Sequence, residues 1–170
     1  MHASLLQINK QRIILVNIIH LPKKLFMNTK KFLIGGVVGG IIYFLLGYLF
    51  YGNLLSDFFQ KNAGTATGVD RAMDQFVWWS LILGNILGGC LLAYVFIKSN
   101  VNSVSSGLVT GAVIGLLSAS AHGFISYSVS NLMTSTGMLG DIGTFTIMSA
   151  ITGAIVGWIC GLIGKASPAK

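Results

Sequence analysis

Gly107-Leu-Val-Thr-Gly111-Ala-Val-Ile-Gly115-Leu-Leu-Ser-Ala119-Ser-Ala-His-Gly123 and Ser149-Ala-Ile-Thr-Gly153-Ala-Ile-Val-Gly157-Trp-Ile-Cys-Gly161 set a small residue at every fourth position of runs without Asp, Glu, Lys or Arg. A period of four returns to one face of a helix, so each run presents a smooth stripe. Charge-free apolar sequence of this length suits a membrane span, because about 20 residues at roughly 1.5 Å each cross the roughly 30 Å hydrocarbon layer. In lipid the hydrophobic effect does not hold helices together, and small residues that let backbones approach take over that role. The pattern, a glycine zipper, predicts contacts through Gly107, Gly111, Gly115, Gly153, Gly157 and Gly161.

Outward from these two runs, residues 32–51 and 76–97 are equally free of charge, so four spans are predicted at 32–51, 76–97, 104–127 and 142–164. The fold class is all-α, a membrane-embedded four-helix bundle. Ser80-Leu-Ile-Leu-Gly84-Asn-Ile-Leu-Gly88 in span two matches Ser149-Ala-Ile-Thr-Gly153-Ala-Ile-Val-Gly157 in span four. Spans one and three align through Leu33, Gly36, Val38 and Gly40 against Leu108, Gly111, Val113 and Gly115. Two helical hairpins related by a pseudo-twofold axis along the membrane normal would produce such a repeat. By this match Gly84 and Gly88 join the predicted packing residues.

Composition agrees with a membrane domain. Only 9% of the 170 residues are charged, against about 25% in soluble domains. The net charge of +7 is distributed unevenly. Lys10, Arg12, Lys23, Lys24, Lys30 and Lys31 precede span one, Lys98 follows span two, and Lys165 and Lys170 follow span four. Asp57, Asp70, Asp74 and Asp141 lie in the first and third connections, with only Lys61 and Arg71 beside them. The positive-inside rule then puts both termini in the cytoplasm of a bacterial plasma (inner) membrane. A nucleic-acid partner is not expected, since no aromatic residues interleave the basic ones; membrane lipid is, and a homo-oligomer is compatible.

Residues 1–26 read as a cytoplasmic extension ahead of a membrane domain over 27–170. The apolar run 13–21 is too short to span and carries Asn17 and His20, while Met27-Asn-Thr-Lys-Lys resembles an ordinary translational start. In the first connection Leu54, Leu55, Phe58 and Phe59 recur at helical spacing, which predicts a short interfacial helix. Trp78, Trp79, Tyr48 and Tyr51 fall where an outer aromatic belt belongs. Cys90 and Cys160 are expected to be small buried residues.

Polar residues inside the spans form the candidate site. His122 is the one imidazole there, and Ser118, His122 and Ser126 fall at i, i+4 and i+8 on one face. Asp141, expected at the start of span four, would lie near the depth of His122 and could pair with it. A histidine hydrogen-bonded between helices is the plainer reading. Asn85 sits near the middle of span two, where one amide fixes which helices face each other more readily than it selects a solute. No cofactor or metal site is expected. With no Glu in the chain and four Asp, acid/base catalysis has little to work with.

Gly47-Tyr-Leu-Phe-Tyr-Gly-Asn-Leu-Leu-Ser-Asp-Phe-Phe resembles the signature region of a family of small bacterial membrane proteins known as domain of unknown function 1761. That family reads Gly, then Trp-Tyr-Ser-Pro, then a Phe-rich segment; here Phe50 stands for the Trp and Gly52-Asn53 for Ser-Pro. Asp141 before a Gly-rich last span is also similar. The resemblance covers residues 28–164 and implies a four-span fold without an activity. The functional expectation is a multi-pass membrane protein, not an enzyme, serving as a compact bundle or accessory subunit. The alternative is a small transporter or channel acting as a homo-oligomer, with Asn85, Ser118, His122 and Asp141 along its path.

Overall fold

The computed structural model describes residues 28–165, so the reading of residues 1–26 lies outside the described residues. Asn28 caps the first helix, its side chain accepting from Lys31 N at 3.1 Å. Helix α1 (Thr29–Leu49) runs into a π-helical turn (Phe50–Leu54), then a short helix α2 (Ser56–Lys61). A 3₁₀ turn (Met73–Gln75) precedes α3 (Trp78–Lys98), which is followed by α4 (Val104–Val129) and α5 (Ser135–Lys165). Four of these segments are long and apolar enough to cross a membrane: Thr29–Leu54, Trp78–Lys98, Val104–Val129 and Ser135–Gly164. The chain is a multi-pass membrane protein. Leu33, Ile41, Leu87, Leu117 and Phe124 lie exposed on its flanks, an arrangement suited to lipid and hazardous in water.

The helices alternate in direction. The start of α1, the end of α5 and the α3–α4 turn share one end, the terminal end; the two longer connections share the other, the loop end. The α3–α4 turn is a Schellman motif. Asn100 takes the left-handed conformation at φ 54°, Val101 N donates to Phe96 O at 2.8 Å, and Val101 packs into the same core cluster as Phe96.

Helices α4 and α5 pack along their length. A Cβ on Gly107, Gly111, Gly153 or Gly157 would run into the backbone of the facing helix, one on Gly115 would lie 2.5 Å from Ser149 Cβ, and one on Gly161 would strike Asn102 O. Helices α1 and α3 meet differently. Gly36 lies against Cys90, Gly39 and Gly40 lie against Gly89 and Ile86, and Gly84 has nothing within 4 Å of its Cβ position. Gly88 meets only the Tyr43 ring, at 3.6 Å. The expected contact through Gly84 and Gly88 is therefore replaced by one through Gly89. By the internal match, Gly36 corresponds to Gly111, which packs on Ser149 and Gly153; Gly36 instead packs roughly two helical turns beyond Gly84, the counterpart of Gly153. Helix α1 also packs along α5, with Gly35 beside Val156 and Gly47 near Met148. Leu92, Ala93, Phe96, Val156 and Cys160 are buried in the terminal half of the bundle, where a smaller cavity of about 220 Å³ lies among Asn28, Lys31, Asn100 and Asn102 at the end.

Span four starts earlier than hydropathy predicts, at Ser135 in place of 142. Thr134 caps α5, with Gly137 N donating to Thr134 Oγ1 at 3.1 Å, and Gly140 leaves room for the Phe58 ring of α2. Asp141 thus sits nearly two turns inside the helix and not at its start. The two connections at the loop end are stitched together: Gly64 N donates to Leu132 O at 2.9 Å, Ala66 N to Asn131 O at 3.1 Å, and Thr134 N to Asn62 O at 2.9 Å. This backbone pairing ties the α1–α3 hairpin to the α4–α5 hairpin.

Candidate functional site

The stripe of α1 is smooth only through Gly40. Continuing by fours it meets Phe44 and Tyr48, where α4 continues with Ala119 and Gly123 after Gly111 and Gly115. Bulk at those positions, together with the Tyr43 ring over Gly88, holds α1 and α3 apart toward the loop end. The result is a cleft of about 1160 Å³ between the two helices. Phe145 and Met148 of α5 form its back wall, and Arg71, Met73 and Phe76 of the connection form its rim. Its lateral opening lies between α1 and α3 at the depth of the bilayer, flanked by Tyr48 (63% exposed) and Trp79 (70%).

The inner end of the cleft closes at the contact of Gly39 and Gly40 with Ile86 and Gly89. Below it Leu92 has no exposure at all. From Trp78 at the mouth to Gly88 at the floor is ten residues of α3, about 15 Å and half of the hydrocarbon layer. The lining is aromatic and aliphatic with few polar groups. Asn85 contributes an amide whose Nδ2 donates to Leu81 O at 2.8 Å, leaving its oxygen without a partner among the described residues. Tyr43 stacks on Phe145, ring centroids 5.7 Å apart and planes at 6°, and its hydroxyl donates to the fully buried Ser149 at 2.9 Å.

Tyr51 on the cleft wall donates to Asp141 Oδ1 at 2.6 Å. The π-helical turn that includes Tyr51 shifts the register of the end of span one, and the Tyr51 ring also leans on Phe59 of α2 at 5.1 Å between centroids. Asp141, at the second turn of α5, is thereby tied to the end of α1. His122 is elsewhere. It is exposed on α4, with Nε2 3.4 Å from Ser126 Oγ, and it does not pair with Asp141. Neither the pairing that depth allowed nor the plainer reading, a histidine hydrogen-bonded between helices, is what the geometry gives. Depth says nothing of azimuth: Gly115, Ala119 and Gly123 form the face of α4 turned toward α5, and His122 lies off it. Ser118 is likewise exposed and lines neither the cleft nor the smaller cavity beside Asn28 and Cys160.

Of the four polar candidates, only Asn85 lines the cleft, and Asp141 reaches it through Tyr51. Tyr43, Tyr51, Arg71 and the aromatic wall were not selected from the sequence as site residues. The signal that could have found them was the end of the small-residue stripe at Phe44, which marks where two helices must part. Comparison of the chain with protein-family models, with curated proteins and with solved structures finds no match.

Proposed function

We propose that this protein is a non-enzymatic membrane protein that acts by binding, a compact bundle or accessory subunit whose working surface is the cleft at the loop end. The single observation that carries the reading is the asymmetry of the packing: an open, apolar cleft of about 1160 Å³ over one half of the bilayer and, over the other, a core in which Leu92, Phe96 and Val156 are wholly buried. Pockets that bind small molecules are mostly apolar with a few placed polar groups, and this one is somewhat larger than their usual size of about 300–1,000 Å³. The distribution of basic residues supports an orientation with both termini in the cytoplasm, so that the cleft opens into the outer leaflet of a bacterial plasma membrane.

The reading requires the terminal half to stay dry. In a background lacking Cys90 and Cys160, Leu92→Cys in proteoliposomes should remain unlabelled by an impermeant thiol reagent from either side. Labelling of Leu92→Cys would mean that a water path passes the seal, and the binding reading would give way to transport. One observation favours that second reading: a cleft that ends near the bilayer midplane beside Asn85 has the form of one half of an alternating-access site.

A further inference from the structure

The depth and the rim of the cleft together identify its occupant. A void of about 1160 Å³ opening sideways into a bilayer is filled by whatever adjoins it, and hydrocarbon adjoins this one. Its floor at Gly88 lies about 15 Å from its mouth at Trp78, the thickness of the hydrocarbon of one leaflet. An acyl chain of that leaflet ends where the cleft ends. A spanning helix does not: it is about 10–12 Å wide and must continue across the other leaflet, where Gly36, Gly39 and Gly40 already press on α3.

Arg71 supplies the second requirement. It is the one cationic side chain lining the cleft, it lies exposed at the rim, and among the described residues it forms no ion pair. Asp70 and Asp74 neighbour it in sequence but do not line the cleft. A guanidinium at headgroup height, beside the interfacial rings of Trp78 and Trp79, matches a phosphate in charge and in hydrogen-bonding geometry.

We propose that the cleft binds a phospholipid of the loop-end leaflet, one acyl chain lying against Gly47, Gly84 and Gly88 and the phosphate paired with Arg71. The proposal rests on the binding reading given above and names its ligand. A Cβ added at Gly84 would meet nothing within 4 Å, so Gly84→Leu projects its side chain into the cleft from a position with room for it.

The test is native mass spectrometry of the full chain released from vesicles of phosphatidylglycerol and diacylglycerol in equal amounts. The parent should retain one phosphatidylglycerol per chain. Gly84→Leu should lose it, with a melting temperature equal to the parent's in lipid-free detergent, and Arg71→Gln should reduce the preference for phosphatidylglycerol over diacylglycerol about five-fold, the contribution of one interfacial cation. Equal retention by parent and Gly84→Leu overturns the proposal, as does an Arg71→Gln protein with undiminished preference. A parent that emerges as a lipid-free dimer, split by Gly84→Leu, also overturns it and makes a second copy the occupant. Each of these failures leaves Leu92→Cys unlabelled, whereas failure of the binding reading itself appears as labelling of Leu92→Cys.

Discussion

Asp141 and Thr152 show how little of a polar residue's role in a bundle is fixed by its type. Asp141 is half-buried and accepts from Tyr51 at 2.6 Å, so removing either partner leaves the other without its hydrogen bond in a poorly solvated place. Tyr51→Phe and Asp141→Ala should each lower stability in detergent by about 1–3 kcal/mol, and the double variant should cost little more than the worse single, as expected for groups in one contact. His122→Ala combined with Asp141→Ala should instead give simple addition, because His122 bonds within its own helix. Melting curves of the two double variants against their singles decide both points; additivity at 51 and 141 would show that the hydrogen bond carries no stability. Thr152 is fully buried and its hydroxyl has no hydrogen-bond partner among the described residues. Thr152→Val keeps the shape and removes the unsatisfied group, so its melting temperature should match or exceed the parent's. A clear drop would mean that the hydroxyl has a partner in the working protein.

At the scale of helices, one residue type does two opposite things. Gly115 meets the Ser149 side chain, and Gly84 meets nothing. Gly115→Leu should force α4 and α5 apart and cost about 1–3 kcal/mol or more, while Gly84→Leu should leave the melting temperature in lipid-free detergent where it is. Equal losses for the two would show that α3 packs against something at Gly84. This contrast also marks what the sequence could and could not say. The four spans were legible because the absence of charge over twenty residues has few other physical causes, and the α4–α5 stripe because it runs unbroken on both helices. The register of α1 on α3 was not, since Gly84, Gly88 and Gly89 are chemically identical and the choice falls to Tyr43, whose ring occupies Gly88. The start of α5 was missed for a related reason: Thr134 and the backbone pairing with Asn62 extend the helix through polar sequence that hydropathy treats as loop.

Over the whole molecule, packing density and charge point the same way along the membrane normal. The terminal half buries Phe96, Leu92, Val156 and Cys160 and is flanked by Lys30, Lys31 and Lys98. The loop end is open and carries Asp57, Asp70 and Asp74 against Lys61 and Arg71. In the sequence, nine of the eleven basic residues precede span one, follow span two or follow span four, and cytoplasmic enrichment of Lys and Arg near span ends sets orientation. In intact cells, and in a background lacking Cys90 and Cys160, an impermeant maleimide should label Thr67→Cys in the first connection. It should reach Lys98→Cys only after permeabilisation. Strong labelling at position 98 in intact cells would invert the protein, and the inversion would have a definite consequence for the cleft. The fold and the Arg71 rim would be unchanged, but the cleft would open into the inner leaflet, which is the richer in anionic lipid in many membranes. Orientation and lipid binding are thus separable: the first is read by which cysteine reacts, the second by whether Gly84→Leu empties the site, and neither result dictates the other.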